Sequence, residues 1–283
     1  AILGSTYTGA FDDVKVLNDK LAALNASKGL DVRIHVDGAS GAFVAPFLYP
    51  DLQWDFRLPL VTSINASGHK YGLVFPGVGW LVFRNAEAMS PELAFHTNYL
   101  GSDQPSITLN FSKPASAVLG QYFVFLRLGK QGYAQVMQNL NEIAHYLRDK
   151  LVETGHFKIL SKDVGVPLVA ISLLPGKDGK NRFYDEFQLS DRLRQSGWTL
   201  PAYTMPPSIS HVKLLRAVIR EDFSRALADK LVADMNRAID YLDHHFCVTE
   251  EQVKEYGQHV VDDFLGKGPH IKPPKKSKFN GVC

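Results

Sequence analysis

This sequence has few cysteines, a small net charge and only short apolar runs. Its 283 residues include only two cysteines, Cys247 and Cys283, which lie too far apart for metal-ligand spacing and form no disulfide framework. This usage is typical of proteins in a reducing cytosol, so we expect a cytoplasmic location. The ten histidines are scattered without metal-site spacing, and we expect no metal.

Neither charge nor hydrophobicity favours a nucleic acid or a membrane as a partner. The formal net charge is +2, which provides no strong field of either sign. No apolar run approaches the ~18 residues of a membrane span, and the first residues carry no signal-peptide pattern. A hydrophobic fraction of 45% with 21% charged residues is ordinary for a globular protein, and the length suits one large and one smaller domain.

The most informative feature that is present is a lysine in a turn after a predicted strand. The strand covers residues 61–65, and Lys70 follows between Gly68 and Gly72. These glycines let the backbone bend and let a flat ligand approach closely. We expect apolar neighbours to desolvate Lys70, which favours the neutral amine that a Schiff base requires. Taken alone, an ordinary surface lysine is the commoner interpretation of this pattern.

An acidic residue upstream gives that lysine a chemical context. Residues 32–36 alternate in polarity, so they predict a strand with Asp37 at its carboxyl end, where ligands bind in open α/β sheets. A carboxylate there and a lysine on another strand suit pyridoxal phosphate, whose ring nitrogen pairs with an acid and whose aldehyde reacts with an amine. Asp37 as a helix cap or turn residue is the alternative. His35 is either a partner of Asp37 or a core histidine.

The remaining periodicity predicts an α/β first half and an α+β second half. Strands are predicted at 1–6, 32–36, 61–65, 78–83, 157–160, 167–174 and 213–219, and helices at 12–25, 116–127, 133–154, 184–195 and 221–244. The first strand, helix and second strand form a βαβ unit, which implies parallel pairing. Near-continuous apolarity predicts that strand 78–83 is fully buried.

Several longer motifs carry a resemblance to a known family. They are Ser5-Thr6-Tyr7-Thr8-Gly9, His35-Val36-Asp37-Gly38-Ala39-Ser40-Gly41-Ala42-Phe43, Trp54-Asp55-Phe56-Arg57-Leu58-Pro59, Ser67-Gly68-His69-Lys70-Tyr71-Gly72, Gly79-Trp80, Tyr99-Leu100-Gly101 and Asn110-Phe111-Ser112-Lys113-Pro114. From about residue 1 to about residue 245 the chain resembles the glutamate decarboxylases of the pyridoxal-phosphate fold-type I (aspartate aminotransferase-like) superfamily. An Asp and a Lys alone would indicate only the superfamily, whereas the extended motifs favour its glutamate-specific branch.

The resemblance implies a fold and a domain organisation. Residues 1–128 would form the second part of a doubly wound, cofactor-binding large domain, and residues 129–250 an α+β small domain with its bridging helix. Family members carry a long segment before the position that Ala1 matches, so we expect this sequence to be the later part of a longer protein. That preceding segment supplies the main phosphate cup of the cofactor site in the family.

The resemblance also assigns roles around pyridoxal 5′-phosphate. Lys70 would form the Schiff base, Asp37 would pair with the pyridine nitrogen and Ala39 would lie flat against the inner face of the ring. Family positions beside the cofactor match Thr6, which would also be near the reacting carboxylate, and positions at the phosphate match Ser67 and His69. Ser112 matches a serine that reaches the phosphate of the neighbouring subunit, which implies a homodimer or higher homo-oligomer with shared sites.

Arg216 matches the family position that holds the substrate's α-carboxylate. A guanidinium suits a carboxylate bidentately, although a structural salt bridge is the alternative. The implied reaction is decarboxylation of L-glutamate to 4-aminobutanoate and carbon dioxide. Two alternatives stay open: another fold-type I decarboxylase or lyase, and a non-catalytic truncated paralogue with a regulatory role.

The C-terminal residues 251–283 form a basic tail of different character. Its last part interleaves lysines with prolines: Lys267, Pro269, Lys272, Pro273, Pro274, Lys275, Lys276 and Lys278. Such a composition predicts disorder. Plant-type glutamate decarboxylases end in a basic calmodulin-binding extension, which makes calmodulin a candidate partner. The prolines and the lack of a tryptophan anchor favour a solvated tail instead.

Overall fold

The computed structural model describes residues 1–98, 101–108, 114–176, 179 and 181–245. Ser112 and the tail 251–283 lie outside these residues, so the predictions made for them are not tested. The described helices and strands build a three-stranded sheet, a two-stranded hairpin and a four-stranded sheet.

The three-stranded sheet contains the predicted Asp37 and Lys70 strands side by side. It consists of β1 (Ile34–Asp37), β2 (Val61–Ser67) and β3 (Gly79–Phe83), with β1 parallel to β2 and β2 antiparallel to β3. Helix α1 (Val14–Lys28) precedes β1. The Asp13 carboxylate caps its N-terminus by accepting from the Val16 N–H, and Gly29 ends it at φ 63°. These boundaries confirm the helix that was predicted at 12–25.

The predicted first strand, at 1–6, is much shorter than expected. Only residues 2 and 3 form bridges, of which that between Ile2 and Asp37 is parallel. The chain then turns, and the Gly9 N–H donates to the Ser5 carbonyl at 2.8 Å. The parallel βαβ connection is confirmed, and the turn leaves Thr6 exposed beyond the edge of the sheet.

The prediction that strand 78–83 is fully buried is wrong. Leu81 and Val82 are 52% and 47% exposed. The physical reason is position, because β3 is the outer strand of its sheet and none of its residues belongs to a hydrophobic core of the described chain. Apolarity predicted the strand but could not show what covers it.

A long kinked helix joins the two halves of the chain. Helix α3 spans Ser116–Glu153 and breaks at Gly129, whose φ of 57° and ψ of −170° are not helical. The sequence predicted two separate helices, at 116–127 and 133–154, whereas the observed break is a single residue. Before the kink, Leu119 and Phe123 are exposed, whereas after it Met137 and Leu147 are fully buried.

The second half of the chain forms an antiparallel sheet covered by helices. Its strands are β6 (Phe157–Ile159), β7 (Leu168–Leu173), β8 (Ala202–Thr204) and β9 (Lys213–Val218), in the order β6-β7-β9-β8. Helices α4 (Glu186–Arg194) and α5 (Arg225–His245) pack with the later part of α3 around one core. The remaining elements are a short helix α2 (Ala45–Leu48) and a hairpin of β4 (Phe95–Thr97) and β5 (Gln104–Ser106). The sequence predicted neither this hairpin nor strand β8.

Two hydrophobic clusters divide the described chain. The smaller lies beside β1 and β2 and includes Leu3, Val36 and Trp54. The larger occupies the second half but also contains Tyr71, the residue after the candidate lysine. The lysine turn therefore packs against this larger cluster, which we call the small-domain core after the predicted domain. The division of the chain into domains at residue 128 stays a prediction. Across the described ranges no helix combines the length and the apolarity that crossing a bilayer demands.

Candidate functional site

The turn that carries Lys70 is built by backbone hydrogen bonds and two close-packed glycines. After β2 ends, the Lys70 N–H donates to the Ser67 carbonyl at 3.4 Å, and the Lys70 carbonyl accepts from Leu73 at 3.3 Å. A Cβ atom added to Gly72 would stand 2.5 Å from the Gly68 carbonyl oxygen, which no side chain tolerates. The two glycines are thus required by close backbone packing.

The Lys70 side chain is open to solvent. The residue is exposed, and its Nζ donates to the Ser40 hydroxyl at 3.4 Å. The expectation that apolar neighbours desolvate this lysine is wrong for the described chain, because Leu73 packs against the small-domain core and Phe75 is itself 55% exposed. A ligand can therefore reach the amine directly.

Asp37 ends β1 opposite Asn65 of β2. One carboxylate oxygen accepts from the Ala39 N–H at 3.1 Å and from the Asn65 amide at 3.0 Å. Burial acts to raise the pKa of Asp37, but these two hydrogen bonds and the charge of Lys70 outweigh it, so the pKa lies below its ordinary value. Asp37 is therefore an ionised acceptor at neutral pH.

His35 supports this carboxylate through Asn65. Its Nδ1 lies 2.8 Å from the Ser63 hydroxyl, and its Nε2 lies 3.1 Å from the Asn65 side-chain oxygen. The Asn65 amide nitrogen is thereby directed at Asp37. Of the two interpretations of His35, the partner of Asp37 agrees with this geometry, since the residue is exposed and not in a core.

Four of the predicted site residues line one cavity. It has a volume of about 320 Å³ and is bordered by Thr6, His69, Lys70 and Arg216, together with Ser5 and Ser40. The strand ends of the first sheet supply one wall and β9 of the second sheet supplies the opposite wall. The cavity thus lies between the lysine turn and the small-domain sheet.

Arg216 reaches this cavity from β9. Its Nη1 donates to the Thr6 carbonyl at 2.5 Å, and its guanidinium carbon lies 4.9 Å from the centre of the Tyr203 ring. Its Nε is buried without a hydrogen-bond partner, and no carboxylate among the described residues pairs with the side chain. Arg216 therefore forms no structural salt bridge within the described part of the chain. The Nη2 makes no hydrogen bond to the described residues, so the guanidinium has donor capacity left for an anion there, whereas the buried Nε lies out of a ligand's reach.

The other predicted residues lie beside the cavity or outside the described chain. Ala39 and Ser67 are joined by a hydrogen bond from the Ser67 N–H to the Ala39 carbonyl at 3.2 Å, which holds the Asp37 loop against the end of β2. Asp37, Ala39 and Ser67 do not border the cavity themselves. Ser112 falls outside the described residues.

Sequence reasoning missed several residues that complete the site. Ser40 contacts the lysine amine, Asn65 bonds to Asp37 and Tyr203 stacks on Arg216. Ser40 could have been found from its position in the loop after β1. Asn65 and Tyr203 could not, because their contacts depend on strand register and on the meeting of two sheets.

With this geometry in place, comparison with known proteins identifies the family. A model of the pyridoxal-dependent decarboxylase conserved domain matches residues 1–174. The chain belongs to the pyridoxal-dependent decarboxylase family. Membership in this family implies pyridoxal 5′-phosphate as the cofactor. A lysine and an arginine that line one cavity, with an ionised carboxylate beside it, are residues that fit such a group.

Curated relatives within the decarboxylase family are glutamate decarboxylases. The chain is 55% identical over 298 residues to the glutamate decarboxylase of Petunia hybrida, an alignment that covers 100% of this chain and 59% of that protein. It is 58% identical over 243 residues to glutamate decarboxylase 1 of Arabidopsis thaliana, covering 86% of this chain and 47% of the relative. The chain thus spans between 47% and 59% of the length of these relatives.

Two solved structures share the fold of this chain. The glutamate decarboxylase of Lactobacillus brevis CGMCC 1306 superposes with a TM-score of 0.79 at 41% identity, over 86% of this chain and 54% of that one. A sphingosine-1-phosphate lyase of Burkholderia pseudomallei K96243 gives a TM-score of 0.68 at 23% identity, over 93% of this chain and 55% of the other, a likeness of fold alone. The predicted family and the predicted fold-type I α/β class are confirmed.

Proposed function

We propose that this protein is a pyridoxal 5′-phosphate-dependent decarboxylase that converts L-glutamate to 4-aminobutanoate and carbon dioxide. The observation that carries the proposal is the cavity of about 320 Å³ that Lys70 and Arg216 line from opposite walls, with the Asp37 carboxylate beside it. Similarity to glutamate decarboxylases from plants and bacteria supports the choice of substrate.

The chain's own groups divide the work of binding the cofactor. When bound, pyridoxal phosphate supplies an electron sink for the bond that breaks. Lys70 would supply the amine that binds the aldehyde covalently. Asp37, kept ionised by the Ala39 and Asn65 donors, would accept a charge-assisted hydrogen bond from the pyridine nitrogen. Ala39 would lie against the inner ring face.

Small polar residues at the turn would hold the phosphate. Ser67 and His69 flank the end of β2 and the lysine turn, and His69 borders the cavity. Ser112 would reach the phosphate of a neighbouring subunit, which is a prediction from the resemblance alone. Thr6 would lie near the reacting carboxylate, and its carbonyl already anchors Arg216.

Arg216 would bind and orient the substrate's α-carboxylate. A planar guanidinium fixes a carboxylate by two parallel hydrogen bonds. Because that carboxylate leaves as neutral carbon dioxide, strong pairing would stabilise the substrate more than the transition state. The stacking of Arg216 on Tyr203 and its bond to the Thr6 carbonyl fix its direction, so we assign it an orienting role.

Reductive trapping tests the role of Lys70. The protein is incubated with pyridoxal 5′-phosphate, reduced with borohydride and digested, and the modified peptide is identified by mass. We expect the added mass on Lys70 and its loss in Lys70→Ala, while Lys20→Ala, which changes an exposed lysine on α1, keeps it. Thermal unfolding of Lys70→Ala should match that of the wild type because the side chain is exposed. Modification spread evenly over surface lysines would refute the assignment.

A substrate comparison separates the proposed reaction from its alternatives. Release of carbon dioxide is measured with L-glutamate and with L-tryptophan. Turnover of glutamate alone supports the proposal, and turnover of tryptophan alone would favour an aromatic amino-acid decarboxylase. Specific trapping at Lys70 with no turnover of either substrate would favour a non-catalytic paralogue.

Assembly, location and regulation extend the proposal. We propose a homodimer or higher homo-oligomer in the cytoplasm, on the basis of the Ser112 resemblance and the sparing use of cysteine. Calmodulin binding by the tail 251–283 competes with the interpretation of a solvated basic tail. The mass of the native assembly, and a calmodulin titration with and without calcium, test these points.

A further inference from the structure

A buried amide lies directly behind the lysine turn. Gln121, on the first half of α3, is fully buried, and its Nε2 donates to the Gly72 carbonyl at 2.8 Å. The Tyr133 hydroxyl donates to the same carbonyl at 2.9 Å and accepts from the Gln121 Nε2 at 3.2 Å. Burial raises the pKa of Tyr133 to about 12, against the opposing hydrogen bond from Gln121, so the phenol stays protonated and donates at neutral pH. One backbone carbonyl at the end of the turn thus accepts two side-chain donors.

The orientation of the amide follows from that carbonyl. Since the Gly72 oxygen only accepts, the Gln121 nitrogen must face it, and the amide oxygen must point the other way. That oxygen has no partner within the described part of the chain. It would lie 2.5 Å from a Cβ added to Gly68 and 3.0 Å from one added to Gly72. The two glycines that flank Lys70 are therefore packed around this amide.

Fold stability alone gives no reason for an amide at this place. A buried polar atom without a partner costs about 1–3 kcal/mol, and a leucine of similar volume would avoid that cost. What the amide supplies, and a leucine does not, is a directed hydrogen bond that fixes the height and tilt of the turn. Such exceptions to packing rules are expected where a site must be positioned.

The same contact joins the turn to both halves of α3. Gln121 precedes the Gly129 kink and Tyr133 follows it, so the two halves of the helix meet at the Gly72 carbonyl. The later half belongs to the core that also supports β9, the strand of Arg216. A second hydrogen bond links the turn to the second sheet: the Tyr71 hydroxyl donates at 2.8 Å to the carbonyl of Pro167, the residue before β7.

We propose that Gln121 is a positioning residue for Lys70: with Tyr133, it holds the Gly72 carbonyl and so sets the direction in which the lysine enters the cavity opposite Arg216. The inference rests on the proposed function of Lys70. It assigns no contact between Gln121 and the cofactor or the substrate.

A charge-switching variant tests the proposal. In Gln121→Glu, a protonated carboxyl can still donate to the Gly72 carbonyl, whereas the ionised form cannot and repels it. Burial raises the pKa of the introduced carboxyl above its ordinary value of about 4.3, so the switch falls within an accessible range. We expect the rate of borohydride trapping at Lys70, relative to wild type at the same pH, to fall by roughly tenfold or more as pH rises, equivalent to one lost hydrogen bond and added repulsion.

Two further variants and one control complete the series. Gln121→Leu should slow trapping by a constant factor of roughly five to ten, independent of pH, because it removes the donor without adding a charge. Tyr133→Phe keeps the ring packing and should give a smaller, pH-independent loss. Gln131→Glu, on the same helix but exposed, should match the wild type at every pH.

A readout without cofactor separates this proposal from the proposed function. Hydrogen exchange at the Leu73 and Val74 amides, which bond to the Lys70 and Gly68 carbonyls, reports the turn itself. In Gln121→Glu we expect protection of these amides to fall as pH rises, with α5 unaffected. Absence of wild-type trapping at Lys70, together with this exchange pattern, would remove the cofactor role and keep the positioning of the turn.

Two results would overturn the role proposed for Gln121. A trapping ratio and an exchange ratio in Gln121→Glu that do not change with pH would show that the amide acts only by filling space. If both Gln121 variants fail to fold, Tyr133→Phe tests the proposal in their place. Unchanged trapping at Lys70 and unchanged hydrogen exchange of the turn in Tyr133→Phe would then overturn it.

Discussion

Charged side chains in the cavity and in the small domain are held in opposite ways. Lys70 in the cavity and Asp37 beside it are exposed, and within the described chain the lysine amine makes one hydrogen bond, at 3.4 Å. In the small domain the Arg182 side chain is only 4% exposed and donates to the Leu174 carbonyl, the Tyr184 hydroxyl and Asp243.

The difference separates groups that stabilise the fold from groups that remain available to a ligand. Buried charges must be fully bonded because desolvation is otherwise too unfavourable. The small-domain charges meet that demand with protein partners, so little donor capacity remains. Lys70 keeps two of its three donor positions free of protein partners in the described chain, and the Nη2 of Arg216 makes no hydrogen bond there. Removing a charge should therefore affect stability in one region and ligand binding in the other.

The largest stability effect is expected at Arg182. Arg182→Met removes a buried guanidinium and leaves the Tyr184 hydroxyl, the Leu174 carbonyl and Asp243 without their common donor. Breaking a buried ion pair costs about 3–5 kcal/mol in general, and because Asp243 is partly exposed we expect about 3 kcal/mol. Denaturant unfolding measures the change.

Arg194→Met is the matched control, since Arg194 is exposed on α4 and its ion pair within the described residues is a long one, with Asp191 at 3.7 Å. Its free energy of unfolding should change by less than about 0.5 kcal/mol. Equal losses from the two substitutions would mean that burial does not distinguish these charges.

A smaller effect is expected at Glu186. This side chain is buried, and one oxygen accepts from the Leu173 N–H at 2.8 Å and the Ser172 hydroxyl at 3.0 Å. Glu186→Ala removes the acceptor of a partly buried backbone N–H, and we expect a loss of about 1–3 kcal/mol. Glu186→Gln keeps an acceptor and should recover most of it. Thermal or denaturant unfolding of both variants checks the order, and a Gln variant as unstable as the Ala variant would show that the charge matters more than the acceptor.

Local features of the fold could be predicted from the sequence because their causes are local. Asp13 and Gly29 bound α1 through contacts within a few residues, and Gly129 breaks α3 by its own backbone conformation. The lysine turn is likewise set by two glycines and short-range hydrogen bonds. The sequence predicted a helix at 12–25, separate helices at 116–127 and 133–154, and the turn at Lys70, close to where these features lie.

Contacts between distant segments could not be predicted. The bond from Arg216 to the Thr6 carbonyl joins residues 210 positions apart, and the pairing of Asn65 with Asp37 depends on the register of two strands. The exposure of Leu81 on β3 depends on what lies beside the sheet, which no periodicity encodes. The cavity arises where two sheets meet, and for that reason its shape could not be predicted. Its residues were predicted only through the family resemblance.

The smallest effect, and the sharpest test of how the cavity holds its charges, concerns Asp37. Asn65→Ala removes one of the two hydrogen bonds that lower the pKa of this carboxyl, so the pKa should rise towards its ordinary value of about 3.9. A carbon-13 NMR titration of the carboxyl resonance, assigned by its absence in Asp37→Asn, measures the change.

The sign of the stability change follows from the same shift. A carboxyl whose pKa is lower in the folded than in the unfolded protein stabilises the fold above its unfolded pKa, and this contribution is lost as pH falls through the folded value. Asn65→Ala should therefore be less stable than wild type at neutral pH, and the difference should shrink in acid. An unchanged pKa in the variant would mean that the Ala39 N–H and the charge of Lys70, and not Asn65 of the neighbouring strand, keep Asp37 ionised. The contrast between a loosely bonded cavity and a fully bonded small domain would then be larger than the hydrogen bonds indicate.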